Sequence, residues 1–176
     1  MIDGDGVRIR RATRDDLPFL LELVTDEDVQ PFLAGGAAAD ARSIEEELER
    51  QDGEADAFGR FVIEVHEDPR WVPAGTMGFH RLNLRSRIAR LERLAVHPRF
   101  RGRHLADEAA RLFQRHLIFD LGYHRLEMEI YGFNERAQRH AERAGFAREG
   151  VKRKAYLRHG DWTDGVLYGL VREDLE

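Results

Sequence analysis

The sequence predicts an α/β (α+β) fold: a mixed, mostly antiparallel central sheet of about seven strands flanked by helices. Three observations predict it. Two closely spaced alternating runs in the middle of the chain read as a hairpin, an amphipathic helix then separates two further strands, and two long strands follow toward the end. A strand–helix–strand passage makes a right-handed parallel crossover, so both kinds of pairing are expected in one sheet.

Val7 to Arg10 alternates as a short strand, and Thr13 to Asp16 offers helix caps before LPFLLELV, with Pro18 suited to an early helical turn. FLAGGAAAD, rich in Gly and Ala, reads as a mobile loop. Asp40 or Ser43 then caps an acidic helix running to about Arg50, and Ser43 and Glu46 have the spacing of a capping box. Phe58 to Val65 and Gly75 to Leu82 form the expected hairpin around the turn material EDPRWVPA. Arg87 to Val96 is the third middle strand, ended by Pro98, which has no amide to give a ladder. From about Gly102 to Leu121 the period becomes helical, with Leu105, Ala109, Leu112, Phe113, Leu117 and Leu121 on one stripe and Gly122 as a stop. His124 to Tyr131 is a strand and Asn134 to Arg143 a helix stopped by Gly145. The last two strands meet at HGDW, where Gly160 and Asp161 are expected to turn.

A chain of 176 residues fits a single domain spanning 1–176. Its 28 Lys and Arg against 33 Asp and Glu leave a net charge of −5, which argues against a direct nucleic-acid role. With no Cys, thiolate catalysis and cysteine-based metal sites are excluded. The eight His residues stand apart without a paired-ligand spacing, so no metal is expected. No apolar run approaches a membrane span and the start lacks a secretion signal, which makes a cytoplasmic protein the expectation.

The segment Leu91 to Phe113 carries the chemistry. A strand runs into a turn bearing Arg99, Arg101, Gly102 and Arg103, and the turn opens a helix whose first amides have no intrahelical acceptor. Such an entrance cradles phosphate, and guanidinium forks nearby suit the same anion. An ordinary strand–helix turn with solvated arginines, and Asp107 and Glu108 as favourable first-turn charges, fits these residues too. The segment is neither a Walker loop nor a dinucleotide fingerprint.

The strand end Leu94-Ala95-Val96-His97-Pro98 and the turn Arg101-Gly102-Arg103-His104-Leu105-Ala106 resemble the GNAT superfamily of N-acetyltransferases, whose pattern is Leu-x-Val-x-Pro followed by Arg/Gln-x-x-Gly-x-Gly/Ala. His104 stands where that pattern has its central Gly. Asn134-Glu-Arg-Ala137 and Gly145-Phe146 match further family positions, and the tail resembles the RimJ/RimL-like branch.

The resemblance implies acetyl-coenzyme A as acyl donor, with pantetheine amides paired to backbone at Leu94, Ala95 and Val96. It implies pyrophosphate on Arg101, Gly102, Arg103, His104, Leu105 and Ala106, and a contact from Asn134, which also suits a helix cap. The acceptor is then a small primary amine or a peptide N-terminus, and a twofold homodimer is expected to cover the terminal strands and the 32–39 loop. Glu92 is the first candidate for the base that deprotonates the amine, ahead of Glu127, His97 and His80, and the Val96 amide for the donor to the developing oxyanion. Some relatives place a Tyr seven residues after the Asn as acid; here that position is Ala141. Another acyl group such as succinyl, which would want a cationic residue beyond the thioester, and a non-catalytic acyl-coenzyme A-binding module are the alternatives. Trp71, Phe79, Tyr156, Trp162 and Tyr168 suit an acceptor pocket or the sheet core. Arg148, Lys152, Arg153, Lys154 and Arg158 suit a phosphate or a solvated strand face.

Overall fold

The structure is a computed structural model and describes residues 1–33 and 40–176. Most of the Gly/Ala-rich segment read as a loop, residues 34–39, lies outside the described residues, as does much of the 32–39 stretch expected at a dimer contact. The strands are β1 (Ile2–Asp3), β2 (Val7–Arg11), β3 (Phe58–Glu67), β4 (Arg70–Asn83), β5 (Ile88–Val96), β6 (Arg125–Tyr131), β7 (Ala147–Arg158) and β8 (Asp161–Val171). The helices are α1 (Leu17–Thr25), α2 (Ala41–Gly53), α3 (Leu105–Arg115, closed by a π turn over His116–Asp120) and α4 (Glu135–Arg143).

One sheet has the order β1-β2-β3-β4-β5-β6-β8-β7. Every neighbouring pair is antiparallel except β5 and β6, the crossover strands. The eighth strand, β1, has two residues, too few to leave a periodic signal.

The sheet is sandwiched. On one face α3 and α4 bury Phe113, Leu117 and Ala141 against Phe61, Phe79, Leu126, Tyr168 and Leu170. Phe61 and Phe113 meet edge to face at 4.8 Å, and truncating either would cost about 3–5 kcal/mol. On the other face α1 and α2 place Leu20, Val24, Ile44 and Leu48 against Val62, while Leu23 and Val29 reach Ala95.

Four local expectations are corrected. The hairpin turns at Asp68–Pro69, because Trp71 and Val72 continue the ladder opposite His66 and Val65. Pro73 is accommodated beside a bulge at Ile63/Glu64. The α2 capping box is Asp40 with Ser43, since the Ser43 amide donates to Asp40 Oδ1 at 2.8 Å. The last hairpin turns on His159 and Gly160, both at positive φ, which gives the twist a two-residue hairpin needs. Finally, α3 begins at Leu105: Gly102 and His104 have φ of 78° and 56°, which no right-handed helix contains.

Candidate active site

The pairing of β5 with β6 spans Ile88 to Arg90 against Arg125 to Glu127 and then stops, although β5 runs on to Val96 and β6 to Tyr131. The two strands therefore splay into a wedge. A bulge in β5 accompanies the splay: the register shifts between Thr76 and Gly78 opposite Ala95 and Glu92, and Arg93 takes a φ of 61°. Past the bulge, His97 donates its amide to Ala74 at 2.8 Å. Hydrogen-bonded and non-bonded pairs alternate in an antiparallel ladder, so the Gly75/Val96 pair exchanges no bonds and the Val96 amide faces the open side, where β6 has departed.

The wedge leads to the entrance of α3. Among the described residues, no backbone acceptor opposes the amides of residues 102–106. A Cβ on Gly102 would meet nothing within 4 Å, so the turn is open on that side. His104 caps the helix in the left-handed region, which explains why a Gly suits that position; His is among the residues better able to bear it. Its side chain is 85% exposed and its Nδ1 lies 3.3 Å from Asp107. The arginines of the turn are already engaged. Arg99 and Arg103 both lie over Phe100 and pair with Glu67, and Arg101 reaches the Asp28 carbonyl at 3.3 Å.

Asp107 ties α3 to α4. It accepts from His140 Nδ1 at 2.7 Å and from Arg143 at 3.3 Å. Burial pushes its carboxyl up, but the hydrogen bonds of His140, Arg143 and His104 outweigh this and hold it at about 2. Burial, opposed by Asp107, pulls His140 below the usual imidazole range.

Ala89, Leu91, Leu126 and Met128 point to the α3 side, so Arg90, Glu92, Glu127 and Glu129 project from the opposite face. On β5 and β6 this face carries ion pairs. Glu92 lies 3.2 Å from His80 Nδ1 and 3.3 Å from Arg93. Arg93 pairs in turn with Glu47 of α2, which also receives the buried Arg60 at 3.2 Å; burial pulls that guanidinium down to about 10. Glu127 accepts from Arg125 at 2.9 Å.

Glu129 was not among the expected site residues. The β5–β6 register, continued one rung past Arg90/Glu127 and then another, sets Glu129 across the wedge from Glu92. Its carboxylate, 9% exposed, accepts from Tyr156 at 2.6 Å and Lys152 at 2.8 Å. Burial pushes it up, but Lys152 and Tyr156 hold it below the usual range. The bond to Glu129, with burial, pushes the phenol up to about 12. Tyr156 crosses β8 over Gly165, where a Cβ would stand 2.8 Å from its ring. The alternation of Glu127 and Glu129 on β6 was the available signal.

The other candidates are placed as follows. His97 accepts the Arg99 amide at Nδ1 and sets Nε2 3.4 Å from Glu22, so it closes the strand end. Asn134 caps α4, its Oδ1 accepting from Ala137 at 3.1 Å. Ala141 is fully buried in the core. Phe79 and Tyr168 are core residues, Trp71 packs under Arg8, and Trp162 is 62% exposed. Of the basic series, Arg158 lies over Tyr131 and donates to the Pro31 carbonyl. Among the described residues no group of three His, Asp or Glu could hold a metal, and no helix is long and apolar enough to cross a membrane.

Comparison with known proteins bears on this arrangement. The family description "Acetyltransferase (GNAT) domain" matches residues 7–147. An uncharacterized prophage-derived N-acetyltransferase of Bacillus subtilis (strain 168) is 34% identical over 83 residues, 47% of this chain and 47% of that protein. The chain thus spans about half the length of the curated relatives it matches. Spermidine N-acetyltransferase from Vibrio cholerae, in complex with CoA and spermine, has a TM-score of 0.86 at 19% identity, covering 97% of this chain and 99% of that one. Ribosomal-protein-S5-alanine acetyltransferase from Vibrio fischeri has a TM-score of 0.83 at 13% identity, covering 99% and 97%. At these identities the likeness is one of fold. With its split parallel pair, its amide-lined helix entrance and a family match over most of its length, the chain belongs to the GNAT acetyltransferase family.

Proposed function

We propose that the chain is an N-acetyltransferase that moves an acetyl group from acetyl-coenzyme A to a primary amine, carried by a small molecule or a peptide N-terminus. The observation that carries this reading is the alignment of one wedge with two sets of unpaired amides, Val96 along its wall and residues 102–106 at its end. Amides of this kind suit the pantetheine and pyrophosphate of the donor. The CoA in the Vibrio cholerae relative is consistent with it.

The donor supplies the thioester carbonyl. On this reading the backbone of Leu94, Ala95 and Val96 orients the pantetheine. Arg101, Gly102, Arg103, His104, Leu105 and Ala106 form the anion cradle, and Arg99 and Arg103 exchange Glu67 for phosphate oxygens. Asn134 keeps its cap and offers its amide nitrogen. The Val96 N–H stabilises charge developing on the carbonyl oxygen. Glu92 accepts the amine proton, with His80 at 3.2 Å able to receive it onward. Since Ala141 offers no phenol, the sulfur leaves as thiolate or takes its proton from water or another Tyr.

A homodimer acting in the cytoplasm belongs to the same reading, and light scattering tests the assembly. For the chemistry, calorimetry with acetyl-coenzyme A and a thiol-release assay over an amine panel are decisive. Binding with turnover supports the enzyme, whereas binding without turnover across the panel would leave only the coenzyme-binding module.

A further inference from the structure

Arg90 occupies an unusual position among the charged residues of the wedge. It sits on the last paired rung, opposite Glu127, on the face away from α3. Its nearest carboxylates are Glu127 at 3.9 Å and Glu129 at 3.7 Å, both beyond hydrogen-bond reach. Its Nε is buried without a partner. Arg60 and Arg158 share that feature, yet each donates elsewhere, Arg60 to Glu47 and Arg158 to the Pro31 carbonyl. Among the described residues, no hydrogen bond leaves any guanidinium nitrogen of Arg90.

The surrounding carboxylates take their hydrogen bonds from other groups, although the charge of Arg90 helps to hold Glu129 below the usual range. Glu127 takes its hydrogen bond from Arg125, and Glu129 takes its two from Lys152 and Tyr156. A guanidinium with five donors in a fixed fork, its Nε buried and its outer nitrogens partly exposed without a hydrogen bond, matches one ligand chemistry best: a planar anion with two oxygens. Glu92 stands two residues further along the same face, roughly 7 Å away at strand rise.

We infer that Arg90 recognises a carboxylate of the substrate, carried either on the acceptor amine or on the far end of the acyl group. The inference rests on the acyltransferase reading above and narrows it. An amino acid whose amine sits at Glu92 would lay its carboxylate toward the Arg90 fork. A dicarboxylic acyl chain would reach the same fork from the thioester side. The two sources differ in where the carboxylate enters, and they separate in experiment.

The acceptor arm compares β-alanine and γ-aminobutyrate with their carboxamides, using acetyl-coenzyme A. The acyl arm compares succinyl- with acetyl-coenzyme A, using a neutral amine. A preference of about 10- to 100-fold for the carboxylate partner is expected in one arm, collapsing in Arg90→Gln and falling in Arg90→Lys, which keeps the charge but loses the fork. A second readout needs no turnover and no variant enzyme activity. In the folded wild-type protein with coenzyme A, the arginine Nε–H resonance that disappears in Arg90→Lys should shift with N-acetyl-β-alanine and not with its amide, or with succinyl- and not acetyl-coenzyme A. Equal preferences in both arms with an unmoved resonance, while coenzyme A binds by calorimetry, would overturn the inference alone. Failure of every acyl-coenzyme A to bind would overturn the functional reading beneath it as well.

Discussion

The amide of His97 donates to the carbonyl of Ala74 at 2.8 Å, and that bond turns the preceding amide, Val96, away from β4 toward the wedge. A free donor there is a product of ladder alternation and of the early end of the β5–β6 pairing. Side-chain identity at residue 96 matters little to it. Glu92 on the same strand is different, because the role proposed for it depends on its carboxylate.

Glu92→Gln should lower kcat by about 100-fold or more, the usual contribution of a positioned base, with little change in acetyl-coenzyme A affinity by calorimetry. A carboxylate must be ionised to accept a proton. Full activity of the variant across pH would remove Glu92 from the role.

Gly102→Glu should weaken coenzyme A binding by at least about tenfold, since a carboxylate would stand at the proposed anion cradle. Gly102→Ala separates the causes. Open space surrounds the position, so Ala adds only the strain of a φ of 78°, about 1 kcal/mol, visible in urea denaturation. Equal affinity of the Glu variant and wild type would move the phosphate site elsewhere.

Asp107→Asn should destabilise the fold by about 2 kcal/mol near neutral pH. The folded carboxyl is held at about 2 against a usual 3.8, so its contribution is full above about 4 and is lost as pH falls toward 2. Urea midpoints of wild type and variant should accordingly converge across that window. A gap that persists at pH 2 would assign the effect to packing.

Gly165→Ala should push Tyr156 off Glu129, because the new methyl would overlap both side chains. A cost of about 1–3 kcal/mol is expected. Spectrophotometric titration should show one phenol returning from about 12 toward the ordinary range. An unchanged titration would mean that β8 yields instead.

Much of this was legible before any coordinates. The stripe from Leu105 to Leu121 and the alternation from Ile88 onward are periodic signals, and periodicity reports which face is buried. The roles proposed for Glu92 and Val96 come from a resemblance. Other features were not legible. Trp71-Val72-Pro73 carries turn-like residues yet pairs with β3, since a ladder already begun outweighs local preference. The left-handed backbone of His104 has no periodic trace. The bond between Tyr156 and Glu129 joins residues on strands separated by β8 and depends on a notch at Gly165. Arg90 was hidden for a similar reason: its lack of side-chain hydrogen bonds, among the described residues, depends on neighbours from several strands at once.

Among the described residues, three rungs, Ile88 to Arg90 with Arg125 to Glu127, form the strand-to-strand seam between the five-stranded and three-stranded portions of the sheet. A molecule lodged beyond that seam touches both portions and acts as a strap across them. Its binding energy adds to their cohesion, so occupancy should register as a rise in melting temperature for the whole chain rather than as a local stiffening.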